Sequence, residues 1–341
     1  MKTKKLLMPF VAGIAATFIG CSDEKAPAMT LNGAGASCPA PVYQTWTYSY
    51  TQTGSVTVNY QSVGSGAGVN QLKEKTVDFA GSDNPLTLEE QQKDGLEQFP
   101  MLTGGVVLIV NIPGVKTGEM KLTRKALADI FLGKITRWNA PEIQSSNLDL
   151  QLPDLAITVV RRADSSGTSF IFTNYLSKIS DEWKNTIGCG SSVKWPVGIG
   201  GQKNPGVCNN VSKISGAIGY TEYTYAVEAK LATVALENSA GKFVQPTIES
   251  FAFSAANARW EKSPGFYMVL TDQPGENSWP ITGVTYILIR KDCDVAIRAE
   301  LIKYFSWCFS SGITAAKKLN YVPIPENVIA LIQEKVFGNV N

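Results

Sequence analysis

Arg162, Asp164, Ser166, Gly167 and Thr168 fall within one seven-residue stretch, where they bring a forked cation, an acid that can hold it, two hydroxyls and a run of backbone N–H groups together. The segment Arg161-Arg162-Ala163-Asp164-Ser165-Ser166-Gly167-Thr168-Ser169-Phe170 follows the apolar run Ile157-Thr158-Val159-Val160 and precedes a helical pattern from Ser169 to about Lys184. It therefore reads as strand, polar turn and helix N-terminus. A helix start leaves backbone N–H groups without intrahelical partners and carries partial positive charge. With an Arg fork beside it, such a turn suits a tetrahedral oxyanion. An isolated Ser-Gly-Thr is more often an ordinary N-cap, so the weight lies on repetition of the device elsewhere.

The repetition is present. Leu31 to Gly35 leads through Ser37 and Cys38 into a helix from Pro39 to about Thr51, with Pro where a first helical turn tolerates it. Val56-Thr57-Val58-Asn59-Tyr60 alternates as a strand does, and Ser65 then opens a helix running to about Lys75. A short strand from Val77 ends in the polar turn Ser82-Asp83-Asn84-Pro85, before an acidic helix start at Thr87-Leu88-Glu89-Glu90. Further on, Gly105–Asn111, Gly216–Tyr220 and Ile281–Ile289 read as buried strands, and Leu122–Gly133 as a helix. Strands alternating with helices predict an α/β architecture with largely parallel sheets, in which ligands sit beyond the carboxyl ends of strands. The three Ser-bearing turns all lie at such ends. Gly64-Ser65-Gly66-Ala67-Gly68 lacks the G-K-[ST] ending of a nucleotide phosphate loop and does not match G-x-G-x-x-G.

Composition excludes several chemistries. The chain of 341 residues contains no His, which removes Ser-His-Asp and Cys-His catalysis and the usual zinc sites, and its six Cys fit no metal spacing. Cys189 and Cys208 flank a Gly/Pro-rich loop and are expected to form a disulfide. Cys293 and Cys308 are separated by a helical pattern that holds them beyond bridging distance. Residues 1–20 have a basic start, an apolar stretch from Leu6 and small residues at their end, which is the order of an export signal. Ile19-Gly20-Cys21 resembles a lipobox, so Cys21 is expected to carry lipid, with residues 21–28 as a tether. Without the three Lys of the signal, the 31 basic residues become 28 against 29 acidic ones. A nearly neutral body offers no electrostatic footprint for nucleic acid.

From Leu31 to about Phe337 the chain resembles the periplasmic phosphate-binding proteins of bacterial Pst-type ABC transporters. The likeness rests on residues 33–43, on Asp78-Phe79, Ser82-Asp83 and Pro85-Leu86, on Arg161–Phe170, on Val193-Lys194-Trp195-Pro196, and on Gly216–Tyr220. It implies a two-domain periplasmic-binding-protein fold of type II with the anion in the interdomain cleft. Domain I would take residues 29–103 and 281–341, and domain II residues 104–280. Carried over residue by residue, Ser37, the Cys38 amide, Ser65, Ser166, Gly167 and Thr168 donate to phosphate. Arg162 supplies the cation, Asp164 pairs with it, and Asp83 is the acceptor carboxylate. Cys38 departs from the family, where that position is commonly aromatic. From the residues alone, Asp83 could instead cap the helix near Thr87 or turn the chain at Asn84-Pro85.

The resemblance also implies a monomer that delivers inorganic phosphate to membrane permease and ATPase subunits, with no cofactor, no metal and no catalytic residue. No nucleophile–base pair accompanies the donors, so an enzyme of phosphoryl transfer is a poor alternative. A carrier of another oxyanion, such as sulfate, molybdate or arsenate, or a lipoprotein that scavenges or senses phosphate, remains the competing reading.

Overall fold

The computed structural model describes residues 29–54 and 56–338, so the expected signal, tether and lipidated Cys21 lie outside the described residues. Thirteen strands are present among the described residues: β1 (Met29–Gly35), β2 (Val56–Ser62), β3 (Phe79–Ser82), β4 (Leu96–Asn111), β5 (Lys121–Leu122), β6 (Thr158–Arg162), β7 (Ile199–Gly201), β8 (Ala217–Glu222), β9 (Ala232–Thr233), β10 (Ala235–Glu237), β11 (Phe243–Val244), β12 (Thr282–Arg290) and β13 (Val322–Pro323). Ten of them form one sheet in the order β2-β1-β3-β12-β4-β8-β6-β7, with β9 and β13 also paired to β4. Parallel pairs occupy its two ends, β2-β1-β3 and β8-β6-β7. Antiparallel β12 and β4 join them through the middle. Strands β5, β10 and β11 make a small separate sheet.

The sheet serves two hydrophobic cores, and β4 runs through both. Leu96, Phe99, Met101 and Leu102 lie in the first, with Leu31, Val58, Phe79, Tyr286–Ile289, Leu301 and Phe305. Val106 to Val110 lie in the second, with Leu127, Val160, Phe172, Ile218, Tyr220 and Trp279. A strand buried on both faces is apolar throughout, and β4 is buried at all but two of its positions. The sequence pattern places the start of this strand at Gly105, but it begins nine residues earlier, at Leu96. Pro100 masks that beginning, because Pro has no N–H to give to a ladder. The structure accommodates it with an irregularity: β12 pairs Thr285 with Leu102 and Tyr286 with Pro100, so Met101 is the extra residue.

Two more differences have local causes. The expected single helix from Ser169 to Lys184 is two, Gly167–Ile179 and Asp181–Thr186, because Ser180 is extended between them and its hydroxyl accepts from the Trp183 N–H. Trp260, Phe266 and Leu270 fall within the span expected for domain II, yet they pack in the first core. Gly265 is what ties them there, since its carbonyl accepts from both Gln91 Nε2 and Gln98 Nε2 at 2.9 Å. No helix among the described residues is long and apolar enough to cross a membrane.

Candidate anion-binding site

Ser37, Ser65 and Ser166 stand in the turns that follow β1, β2 and β6, each at the entrance of a helix: Ala40–Thr51, Ser65–Lys73 and Gly167–Ile179. Asp83 follows β3 directly. Parallel strands present their carboxyl ends on one edge, so four turns far apart in sequence converge where the two cores meet. Ser37, Ser65, Asp83, Arg162, Ser166 and Thr168 are each at most 3% exposed.

Arg162 is the cation of the site. Its Nε donates to Asp164 Oδ1 at 2.9 Å, and its Nη2 donates to Asp164 Oδ2 at 2.5 Å and to Ser37 Oγ at 3.3 Å. Nη1 is buried and has no partner among the described residues. The fork is thus held by one edge and leaves the other for a ligand. Asp164 in turn accepts from the Lys203 N–H at 3.0 Å. Burial pushes the Asp164 carboxyl up, but the Arg162 hydrogen bonds and charge outweigh it and hold the group below its usual value. Behind Arg162, the Tyr220 hydroxyl accepts from the Arg162 N–H at 3.1 Å and lies 2.6 Å from Ser169 Oγ, which fixes strand end to helix start.

The hydroxyls follow one pattern. Ser37 Oγ accepts from Arg162 Nη2 and from Asn204 Nδ2 at 3.2 Å. Ser65 Oγ accepts from the Asp83 and Gly167 N–H groups, both at 3.2 Å. Ser166 Oγ accepts from the Ser169 N–H at 3.0 Å as the cap of its helix. None of the three donates to another atom among the described residues, so their protons are free, and Thr168 Oγ1 is buried without any partner. Two expected donors are already taken: the Ser166 N–H gives to the Ser191 carbonyl at 2.9 Å, and the Gly167 N–H to Ser65 Oγ at 3.2 Å. Ser166 therefore offers its hydroxyl alone.

Asp83 is the one acceptor in this ring. Thr87 caps the helix Leu88–Asp94 through the Glu90 N–H, and Ser82 Oγ takes the Asn84 N–H in the turn. Both structural duties open to Asp83 are filled by neighbours, and both of its carboxylate oxygens are buried without a partner among the described residues. Desolvation pushes it up to about 7, against the pull of Thr285, Arg162 and Cys38. An unpaired buried carboxyl costs stability unless something binds it. Four hydroxyl protons, an Arg edge and one acid are the complement of a tetrahedral oxyanion that carries a proton of its own.

Close approach is built into the backbone. A Cβ on Gly167 would lie 2.5 Å from Ser65 Oγ and 2.6 Å from Asp83 Cβ, so only Gly lets the helix start meet these two groups. Cys38 lies beside Asp83 with its thiol buried, and desolvation, followed by the charges of Asp83 and Glu222, raises it well above its usual value.

The structure also assigns parts to residues that the sequence does not mark. Asn204 links Ser37 to Thr221 and Glu222, accepting from the Thr221 hydroxyl and the Glu222 N–H at 3.2 and 3.3 Å. Tyr225 and Tyr321 donate to the carbonyls of Ser37 and Cys38 at 2.7 and 2.6 Å. These contacts join segments about 170 to 280 residues apart, and no local spacing announces them. The expected Cys189–Cys208 disulfide is absent; both thiols are free. Cys208 is on the buried face of the helix Lys203–Lys213, 3.6 Å from Thr221 Oγ1, whereas Cys189 is exposed and 3.6 Å from the Phe170 carbonyl.

A family model described as a PBP superfamily domain matches residues 22–311. The phosphate-binding protein PstS of Pasteurella multocida is 50% identical over 307 residues, covering 90% of this chain and 89% of that protein. The protein of the same name from Haemophilus influenzae is 47% identical and covers 91% of this chain and 93% of its own length. The crystal structure of a phosphate-binding protein from Stenotrophomonas maltophilia superposes with a TM-score of 0.65 at 19% identity, covering 90% of this chain and 93% of that one, a likeness of fold. On the family model and on these identities, sustained over nine-tenths of its length, the chain belongs to the PBP superfamily and, within it, to the PstS family of phosphate-binding proteins.

Proposed function

We propose that this chain is the extracytoplasmic receptor of a phosphate ABC importer, binding inorganic phosphate between its two lobes and delivering it to membrane permease and ATPase subunits. The ligand contacts are the hydroxyls of Ser37, Ser65, Ser166 and Thr168, the Cys38 amide, Arg162 Nη1 and the Asp83 carboxylate, with Asp164 orienting Arg162 and Gly167 giving its N–H to Ser65. The lobes are residues 29–103 with 281–341, and 104–280 apart from the Trp260–Leu270 segment; Cys21 tethers the body to a membrane through lipid. The relatives are named for phosphate binding, which supports the reading.

The single observation that carries it is the unpartnered Asp83 carboxyl among free donors. A ligand with acceptors alone would face it lone pair to lone pair, whereas mono- or dibasic phosphate brings the missing proton. Calorimetry with phosphate, arsenate, sulfate and molybdate tests the reading. Tight phosphate binding with sulfate and molybdate at least a thousandfold weaker supports it, in keeping with the roughly 10⁴-fold discrimination such a site can reach. Comparable sulfate binding would sink it. A phosphomonoester turnover assay on the same preparation is expected to show no hydrolysis.

A further inference from the structure

Glu222, the last residue of β8, is fully buried and stands outside the ligand contacts proposed above. It lies where the two cores touch: Tyr321 belongs to the first core, whereas Glu222 ends β8, whose Ala217, Ile218 and Tyr220 lie in the second, and Thr224 follows it. Its oxygens have three neighbours. The Thr224 N–H donates to Oε2 at 3.0 Å, Tyr321 Oη lies 3.2 Å from Oε2, and Thr224 Oγ1 lies 3.3 Å from Oε1.

A hydroxyl owns one proton, and a carbonyl can only accept. Tyr321 Oη is 2.6 Å from the Cys38 carbonyl, and Thr224 Oγ1 is 2.6 Å from the Leu319 carbonyl. Those shorter contacts claim both hydroxyl protons. The two contacts left to Glu222 are then oxygen against oxygen, and one of them becomes a hydrogen bond only if Glu222 brings the proton. The charged and titratable groups that face it are the Asp83 carboxyl, the Cys38 and Cys208 thiols and the phenols of Tyr223, Tyr225 and Tyr321, none of them a cation. An ionised Glu222 would be a buried charge with a single N–H to stabilise it.

We propose that Glu222 is a neutral carboxylic acid in the folded protein and that its proton, given to Tyr321, positions the Ser37–Cys38 turn for the anion. Tyr321 passes the link to the Cys38 carbonyl, and Tyr225, three residues beyond Glu222, holds the Ser37 carbonyl beside it. Burial, which pushes Glu222 up to about 8, agrees with this state at neutral pH. Glu222 is thus a positioning residue, and its effect on ligand rests on the phosphate reading above. If ligand release parts the lobes, Glu222 becomes exposed and its proton affinity falls. Closure then takes up a proton, and binding weakens as pH rises.

The test compares wild type, Glu222→Gln and Tyr321→Phe by phosphate calorimetry from pH 6 to 9.5, with difference infrared spectra at pH 7. Gln keeps the shape and a donor at the carboxyl position but never ionises. Wild type should lose roughly tenfold in affinity above pH 8, as it must if closure of the lobes makes Glu222 hold its proton about tenfold more tightly. Glu222→Gln should match wild type within about threefold at pH 7 and lack that alkaline loss, since the titrations of Asp83 and of the ligand are common to both. Tyr321→Phe should weaken binding at every pH. A carboxylic-acid carbonyl band present in ligand-free wild type and missing in Glu222→Gln assigns the proton directly. Parallel pH profiles for wild type and Glu222→Gln, or the absence of that band, would overturn the proposal. If no variant binds phosphate at any pH, the ligand reading fails, while the infrared band still decides the state of Glu222.

Discussion

Ser65 Oγ accepts the Gly167 N–H at 3.2 Å, a hydrogen bond between turns 102 residues apart that belong to different cores. The same oxygen accepts the Asp83 N–H, so one hydroxyl gathers two backbone donors and keeps its own proton for a ligand. The helix start at Gly167 is in this way seated on the other lobe's site. A side chain at position 167 would separate them. Gly167→Ala is expected to weaken phosphate binding by about tenfold or more, because overpacking of this kind typically costs about 1–3 kcal/mol. Calorimetry reads the loss, and unchanged affinity would show that the approach of Ser65 to Gly167 does not matter for the ligand.

Arg162 is predicted to supply most of the binding energy that comes from charge. Its side chain is 1% exposed and paired to Asp164 on one edge alone. Truncating one partner of a buried, hydrogen-bonded charge pair costs about 2–5 kcal/mol. Arg162→Ala should accordingly bind phosphate at least ~30-fold more weakly. A change below about threefold would place the site elsewhere.

Asp83 predicts both selectivity and its pH dependence. The folded protein holds this carboxyl at about 7, above its ordinary value of 3.8, so the protonated form is favoured by folding. That contribution to stability is complete below the ordinary value and is lost as pH rises toward 7. Chemical denaturation should show the slope in wild type and a flatter one in Asp83→Asn. For ligands the sign is the opposite of a simple anion effect. Ionised Asp83 rejects sulfate, whereas protonated Asp83 can donate to it, so the preference for phosphate over sulfate should narrow as pH falls below 7. A ratio that stays constant from pH 5 to 8, or one that survives in Asp83→Asn, would remove Asp83 from this role.

The thiols predict a simple labelling pattern. Cys189 is exposed, and Cys208 is buried on its helix, where desolvation pushes it up to about 11. A thiol-specific reagent should therefore modify Cys189 in the native protein and reach Cys208 only after unfolding. Peptide mapping without reductant should recover the two residues unbridged. A Cys189–Cys208 bridged peptide would contradict the structure.

Much of the site could be read from the chain because its parts are local devices. Ser166-Gly167-Thr168 after an apolar run, Ser65 after alternating residues and Ser37 before Pro39 each encode a strand end and a helix start within about ten residues, and the anion affinity of a helix start is a backbone property that needs no distant partner. The pairing of Arg162 with Asp164 is local as well, since they stand two positions apart with Ala163 between them. What failed to show in the sequence depends on the other side of a contact. The Cys189–Cys208 expectation read a loop as a closure, but helix phase turned Cys208 into the core and away from Cys189. Pro100 hid the first nine residues of β4, because only the bulge against Tyr286 lets a residue without an N–H stand there. Asp83 is legible as an acid in a turn, but its lack of a partner among the described residues is a tertiary property, because Thr87 and Ser82 fill the structural duties instead. Asn204, Glu222 and Tyr321 carry no motif at all, since each acts through hydrogen bonds to segments brought near by the crossing of β4 and β12. The residue types set which chemistry the chain could offer; the tertiary structure decided which of those groups were left unpaired, because burial makes satisfaction of each polar atom depend on neighbours distant in sequence.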